Sequence, residues 1–278
     1  NKLRVLLVED VQSNQAAASM AVQVGHFDDP VERPGMAHFL EHMLFLGTEK
    51  YPDPGEYHAF INQHGGNNNA WTGTEQTNFF YTINAEVFEE SLARFSQFFI
   101  APKFDIELVD RERHAIESEY SLKLKDDIRR VYQVQKETTN QAHPFSKFSV
   151  GNLTTLNGPE SVLREELLAF YQQQYCANIM TLCLVAPASL DQLELWAKTY
   201  FEAIVNREVS KHYPEALLVT EAECQKQIAI VPLKQQKRIS VNFALPGIDQ
   251  FYKRKPLTFI SHLLGNESPG SLLSYLKE

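Results

Sequence analysis

Residues 38–42 read His-Phe-Leu-Glu-His, three ionisable side chains inside a run that is otherwise apolar from Met36 to Leu46. On a helix His38 and His42 stand about 40° apart around the axis, with Glu41 about 60° to the other side. Two imidazoles and a carboxylate therefore share one face. Neutral imidazoles are good zinc ligands, and a carboxylate beside them can take a proton from an activated water. Ala37, Phe39, Leu40, Met43, Leu44 and Phe45 would bury such a helix nearly all round, where three ionisable groups are costly without a partner. A pair of satisfied core histidines beside an unrelated Glu is the bland alternative; the ordered triplet on a buried helix favours a metal.

Two histidines need at least one further ligand to hold a catalytic zinc. A long helical pattern opening at Asp105 offers two. Its apolar stripe is Leu108, Val109, Ala115, Ile116 and Tyr120, and Glu112 and Glu119 fall in the middle of that stripe, while Glu107, Asp110 and Glu117 point elsewhere. A carboxylate on a core face is protonated, paired or bound to a metal. Pairing with Arg111 or Arg113 would serve as well, and geometry leaves Glu112 and Glu119 equal as ligand candidates.

These residues need a frame to position them. Leu3 to Val8 and Ala16 to Val24 read as a strand pair across a turn at Gln12-Ser13-Asn14. A helix is predicted over 35–46 and another from Asp53-Pro54-Gly55-Glu56 to Gly65-Gly66. Strands follow at 67–72 and 78–84, then helices over 85–99 and from Asp105 to about Lys136. Residues 143–158 read as a loop, Glu160 opens a helix, 179–186 is a strand and 190–200 a helix. Residues 206–222 read as a linker, after which the pattern restarts with strands at 227–232 and 239–244 and helices over 256–264 and from Ser271. This order favours an α+β fold, a mostly antiparallel sheet packed against helices.

The chain has 278 residues, 44% hydrophobic and 22% charged, with a formal net charge of -9. That balance is ordinary for a globular protein and argues against a nucleic-acid or anionic-membrane partner. No apolar run reaches the roughly 18 residues of a spanning helix. The chain opens directly in an apolar strand, which reads as though a preceding segment had been removed. Cys176, Cys183 and Cys224 are an odd count without metal-type spacing, so no disulfide framework is expected. His26, His58, His64, His114, His143, His212 and His262 lack ligand spacing and read as structural or solvated, and Lys234 to Arg238 as a solvated turn. Asn67 to Thr72, polar and following a glycine pair, fits an exposed edge strand able to add a peptide by main-chain hydrogen bonds, as well as an ordinary hairpin strand. Phe45 and Trp71 are candidates to line a side-chain pocket, although composition favours a core role for both.

The run Gly35 to Thr48, with Lys50-Tyr51-Pro52 after it, resembles the pitrilysin/insulysin family of inverzincin zinc metallopeptidases. Gly65-Gly66 leading into Asn69-Ala70, Arg111-Glu112-Arg113 with Glu119, His143 to Phe148, and Gly265 to Leu273 recur in that family's order, so the likeness covers essentially the whole chain. The resemblance implies a LuxS/MPP-like metallopeptidase layer, Zn2+ as cofactor, His38, His42 and Glu119 as ligands, Glu41 as general base and Glu112 as a supporting acid near the metal. It implies peptide substrates lying along Asn69 and Ala70, and it likens Gly265 to Gly270 to a segment that receives a substrate's amino terminus. It further implies a catalytic domain over 1–210, and over 211–278 a linker with the truncated start of a second homologous domain. The partners implied are peptides and the remaining domains of a longer protein; a homodimer is compatible with the resemblance. The isolated chain is expected to bind zinc yet cleave poorly. The compartment implied is periplasmic for a bacterial protein and cytosolic otherwise. A non-catalytic scaffold or a peptide-holding module is the competing expectation.

Overall fold

A computed structural model describes residues 1–212, 214–245 and 247–277. They fall into two compact units, Asn1–Gln235 and Gln236–Glu278. In the first, strands β1 (Arg4–Glu9), β2 (Gln15–Val22), β3 (Asn67–Thr72), β4 (Thr77–Asn84) and β5 (Met180–Ala186) form one sheet in the order β1-β5-β2-β4-β3. β2 runs antiparallel to β4 and β5, and β3 to β4, while β1 lies parallel to β5. The fold is thus mixed α+β with a mostly antiparallel sheet.

Every second residue of the inner strands is buried: Ala16, Ala18, Met20 and Val22 in β2, Phe79, Tyr81 and Ile83 in β4, Leu182 and Leu184 in β5. This period of two turns one face of the sheet toward a layer of helices. The helices of this unit are α1 (Met36–Leu44), α2 (Glu56–Gln63), α3 (Phe88–Phe95), α4 (Ile106–Lys123), α5 (Asp127–Thr138), α6 (Glu160–Gln174) and α7 (Leu190–Phe201). α1 packs on β3, α4 and α6, and α3 packs on β2, β4 and α7. Between sheet and helices Phe79, Phe95 and Phe99 meet edge to face, with ring centroids 5.3 and 5.6 Å apart, a geometry that adds specificity to the burial of large apolar surfaces. The second unit holds α8 (Pro256–Leu264) and α9 (Leu272–Lys277).

Four expectations differ from what is observed. β1 and β2 do not pair with each other, because β5 lies between them. β5 is apolar at every position but Thr181, which suits a strand with neighbours on both edges, and a partner some 160 residues away leaves no trace in local turn chemistry. The helical pattern from Asp105 to Lys136 is two helices. Asp126 stops the first and caps the second, its Oδ1 accepting from Ile128 N–H at 2.9 Å and Arg129 N–H at 3.1 Å. Residues 85–99 are α3 flanked by two 3-10 turns, Ala85–Val87 and Ser96–Phe99. Residues 227–232 and 239–244 form no strand among the described residues, since an extended segment without a ladder partner is not a stable strand.

Candidate metal centre

α1 begins under a buried carboxylate. Asp29 Oδ2 accepts from Gly35 N–H at 2.7 Å and Oδ1 from Ala37 N–H at 2.8 Å, satisfying donors that a helix start leaves free. Met36, Ala37, Phe39, Leu40, Met43 and Leu44 are buried, which fixes the rotation of the helix and turns His38 and His42 toward α4. Their rings lie 4.8 Å apart and nearly perpendicular, at 88°.

Each ring is held from behind. His38 Nδ1–H donates to the Val150 carbonyl at 2.7 Å, and His42 Nδ1–H donates to Glu112 Oε2 at 3.3 Å. Protonation at Nδ1 leaves both Nε2 lone pairs free, the tautomer a metal ligand needs. Glu119 Oε2 faces both, 3.6 Å from His38 Nε2 and 3.9 Å from His42 Nε2. One ligand atom from each of the three residues lies within 4.8 Å of the others. Tetrahedral zinc with bonds of about 2.1 Å separates its ligand atoms by about 3.4 Å. The two Glu119 separations, 3.6 and 3.9 Å, stand close to that value, so the donor set suits zinc in chemistry and approaches its spacing.

The titration of the groups follows from burial and company. Desolvation pushes the Glu41 carboxyl above its ordinary value, opposed by a hydrogen bond that Thr72 Oγ1 donates to Glu41 Oε2 at 2.5 Å and by the two imidazoles. For His42 burial pulls down, but the Glu112 hydrogen bond and the charges of Glu41, Glu112 and Glu119 outweigh it and the net shift is upward. Glu112 shifts the other way: burial would raise it, and the bonds to His42 and Arg111 hold it below the usual carboxylate range. Glu112 therefore stays an ionised acceptor behind His42. Its second oxygen accepts from Arg111, whose guanidinium lies 3.1 Å away, whereas Arg113 pairs with Asp110 and Glu160 instead.

The description "Insulinase (Peptidase family M16)" matches residues 4–146. The chain belongs to the insulinase family of peptidases. Residues 161–278 match the description "Peptidase M16 inactive domain". Along its whole length this insulinase-family chain is 41% identical over 286 residues to the A-factor-processing enzyme of Saccharomyces cerevisiae and 39% identical over 282 residues to the insulin-degrading enzyme of Homo sapiens, and it spans 28% of each. The crystal structure of pitrilysin superposes on 98% of the chain with a TM-score of 0.86 at 30% identity, the chain covering 29% of that molecule. The chain therefore spans less than a third of each of these three relatives.

In this insulinase-family frame β3, which carries Asn69, Ala70 and Trp71, is the outer strand of the sheet beside α1. Phe45 is partly buried, stacked on His58 at 5.1 Å and edge-on to Phe98 at 5.2 Å. Trp71 does not take the core role that composition favours; it is 42% exposed, because the pleat of an edge strand turns it away from the helices. Among the other histidines His26 is buried, and desolvation with Lys136 nearby lowers its pKa to about 4. The cysteines are free, and no helix among the described residues is long and apolar enough to cross a membrane. Sequence reasoning missed Thr72 and Val150. Thr72 sits in a strand with alternating side chains, so its facing Glu41 was in principle legible; the Val150 carbonyl carries no residue-type signal at all.

Proposed function

We propose that this chain forms the zinc-binding part of a metallopeptidase that hydrolyses peptide bonds, with His38, His42 and Glu119 holding the metal, Glu41 as general base and Glu112 orienting His42. The observation that carries the reading is the convergence of His38 Nε2, His42 Nε2 and Glu119 Oε2 beside a buried carboxylate, Glu41. When bound there, zinc supplies Lewis acidity, lowering the pKa of water toward about 7 and polarising a carbonyl oxygen. Glu41 stands where its carboxylate can accept a proton from the attacking water and later release it to the leaving amine, and burial pushes its carboxyl above the ordinary value. The Thr72 hydroxyl fixes one Glu41 oxygen and leaves the other free for that transfer.

A peptide adds to the open edge of β3 by main-chain hydrogen bonds. The Ala70 N–H is held by Asn69 Oδ1 at 2.9 Å, so Asn69 turns aside as an incoming strand takes over that donor. Phe45 and Trp71 flank this edge as apolar contacts for substrate side chains. Residues 1–210 make up the catalytic domain and 211–278 lead into a second domain of similar kind. Because the relatives are far longer, the remaining substrate contacts come from further domains, and the isolated chain binds zinc but turns substrates over poorly.

The test is a pair of variants in the full-length protein. Glu41→Gln is expected to keep one zinc per chain and lose at least about 100-fold in kcat, while Glu119→Gln loses zinc by elemental analysis. Full zinc retention by Glu119→Gln refutes the ligand assignment, and a wild-type protein that stays metal-free after zinc loading refutes the whole reading in favour of a scaffold.

A further inference from the structure

Lys136 on α5 is 1% exposed, and its ammonium is spent on neutral partners. It donates to the Lys147 carbonyl at 2.8 Å, to Ser149 Oγ at 3.0 Å and to His26 Nε2 at 3.3 Å, and it lies over the rings of Tyr132 and Phe145 at 5.2 and 5.5 Å. Burial lowers its pKa to about 8, with Asp29 opposing. Taking an ammonium out of water without a contacting anion is costly, and an apolar side chain would fill the space more cheaply. What the charge does is gather three separate segments: α5, the turn His26–Asp28, and residues 147–149.

That third segment leads straight to the metal centre. Val150 follows Ser149, and its carbonyl is the acceptor behind His38. The Lys147 side chain pins the same segment from the other side, donating to the Phe27 and Asp29 carbonyls at 2.8 Å each, and Asp29 is the residue that caps α1.

We infer that Lys136 is a positioning residue for the metal centre: it anchors residues 147–149 so that the Val150 carbonyl holds His38 with Nε2 facing Glu119. This rests on the zinc reading above. Lys136→Met keeps the apolar bulk and releases two anchors of the segment, so the ring of His38 loses its fixed partner. In the full chain without metal, imidazole nitrogen NMR is expected to show His38 as the Nδ1–H tautomer in the wild type and as a tautomer mixture in Lys136→Met, with His42 unchanged because Glu112 backs it. Zinc affinity, read by chelator competition, falls about tenfold, the lower end for loss of an outer support of a ligand. Loss of structure would instead move both rings.

Wild-type protein that binds no zinc sinks the proposed function itself. Wild-type protein that binds zinc, with Lys136→Met matching it within twofold and His38 unchanged, overturns the positioning role alone. Should Lys136→Met not fold, Ser149→Ala removes one anchor and keeps the buried charge; about threefold weaker zinc binding is expected, and unchanged affinity overturns the inference.

Discussion

His42 is backed by a carboxylate on α4, whereas His38 is backed by a main-chain carbonyl from the segment that follows Lys147. The two supports differ in rigidity and in kind. Glu112 belongs to a regular helix whose Val109 and Ile116 are buried, and it brings a negative charge that raises the basicity of His42. Val150 brings no charge, and its place depends on the Lys136 and Lys147 anchors and on close packing of Gly151 against Gly35. One imidazole is thus held by electrostatics on a helix, the other by the fit of a strap. Loss of the first should change affinity with little change in fold, and loss of the second should disturb both.

The largest effect is expected on the strap side. Gly35 has φ +95°, and a Cβ there would stand 2.3 Å from Gly151 Cα, a contact of backbone on backbone that no rotamer change relieves. Gly35→Ala should cost about 3 kcal/mol or more in urea unfolding and weaken zinc binding with it; a stability within about 0.5 kcal/mol of wild type would mean that the strap is not packed against α1. Next, Glu112→Ala should lower zinc affinity about 100-fold with a melting temperature nearly unchanged, and the metal-free His42 pKa should drop because its hydrogen-bonded anion is gone.

A smaller effect distinguishes the two sides by pH. Burial pushes the Asp29 carboxyl up to about 7, against the backbone bonds to Gly35 and Ala37. Between about pH 4 and 7 the unfolded chain has released this proton while the folded one keeps it, so Asp29 makes folding less favourable as pH rises through that window. Asn at this position is uncharged throughout the window but can accept only one of the two backbone N–H groups, which adds a pH-independent cost. The stability of Asp29→Asn relative to wild type should therefore rise from pH 4 to pH 7, and a pH-independent difference would show that the folded chain does not raise the Asp29 pKa. Glu112→Ala should show no such gain. The smallest effect is on Glu41, the proposed base: Thr72→Val removes the donor that lowers its pKa, and should move the acid limb of the kcat/KM profile of the full-length protein upward by about one unit, zinc content unchanged.

The comparison also explains what could be read from residues alone. His38, Glu41, His42, Glu112 and Glu119 are side chains on periodic elements, and helical geometry places each on a face. The stripe alone left Glu112 and Glu119 equal, and the family resemblance implied Glu119; in the fold Glu112 lies 3.3 Å from His42 Nδ1, behind the ring, whereas Glu119 faces both Nε2 atoms at 3.6 and 3.9 Å. Val150 and the Lys136 anchors sit outside that logic: a carbonyl is present at every residue, and a buried lysine on α5 looks like any solvated cation until the fold covers it. The same limit explains the sheet. The strand segments were legible, but the insertion of β5 between β1 and β2 is a pairing across most of the chain, and the break at Asp126 depended on a capping bond that competes with a continuous helix.

The central claim is most directly tested by anomalous scattering at the zinc edge from crystals grown with zinc. The account predicts one peak within about 2.0–2.2 Å of His38 Nε2, His42 Nε2 and a Glu119 carboxylate oxygen, with Val150 and Glu112 still behind the two rings. A peak bound by Glu112 in place of Glu119, or no peak between the two rings, would contradict it.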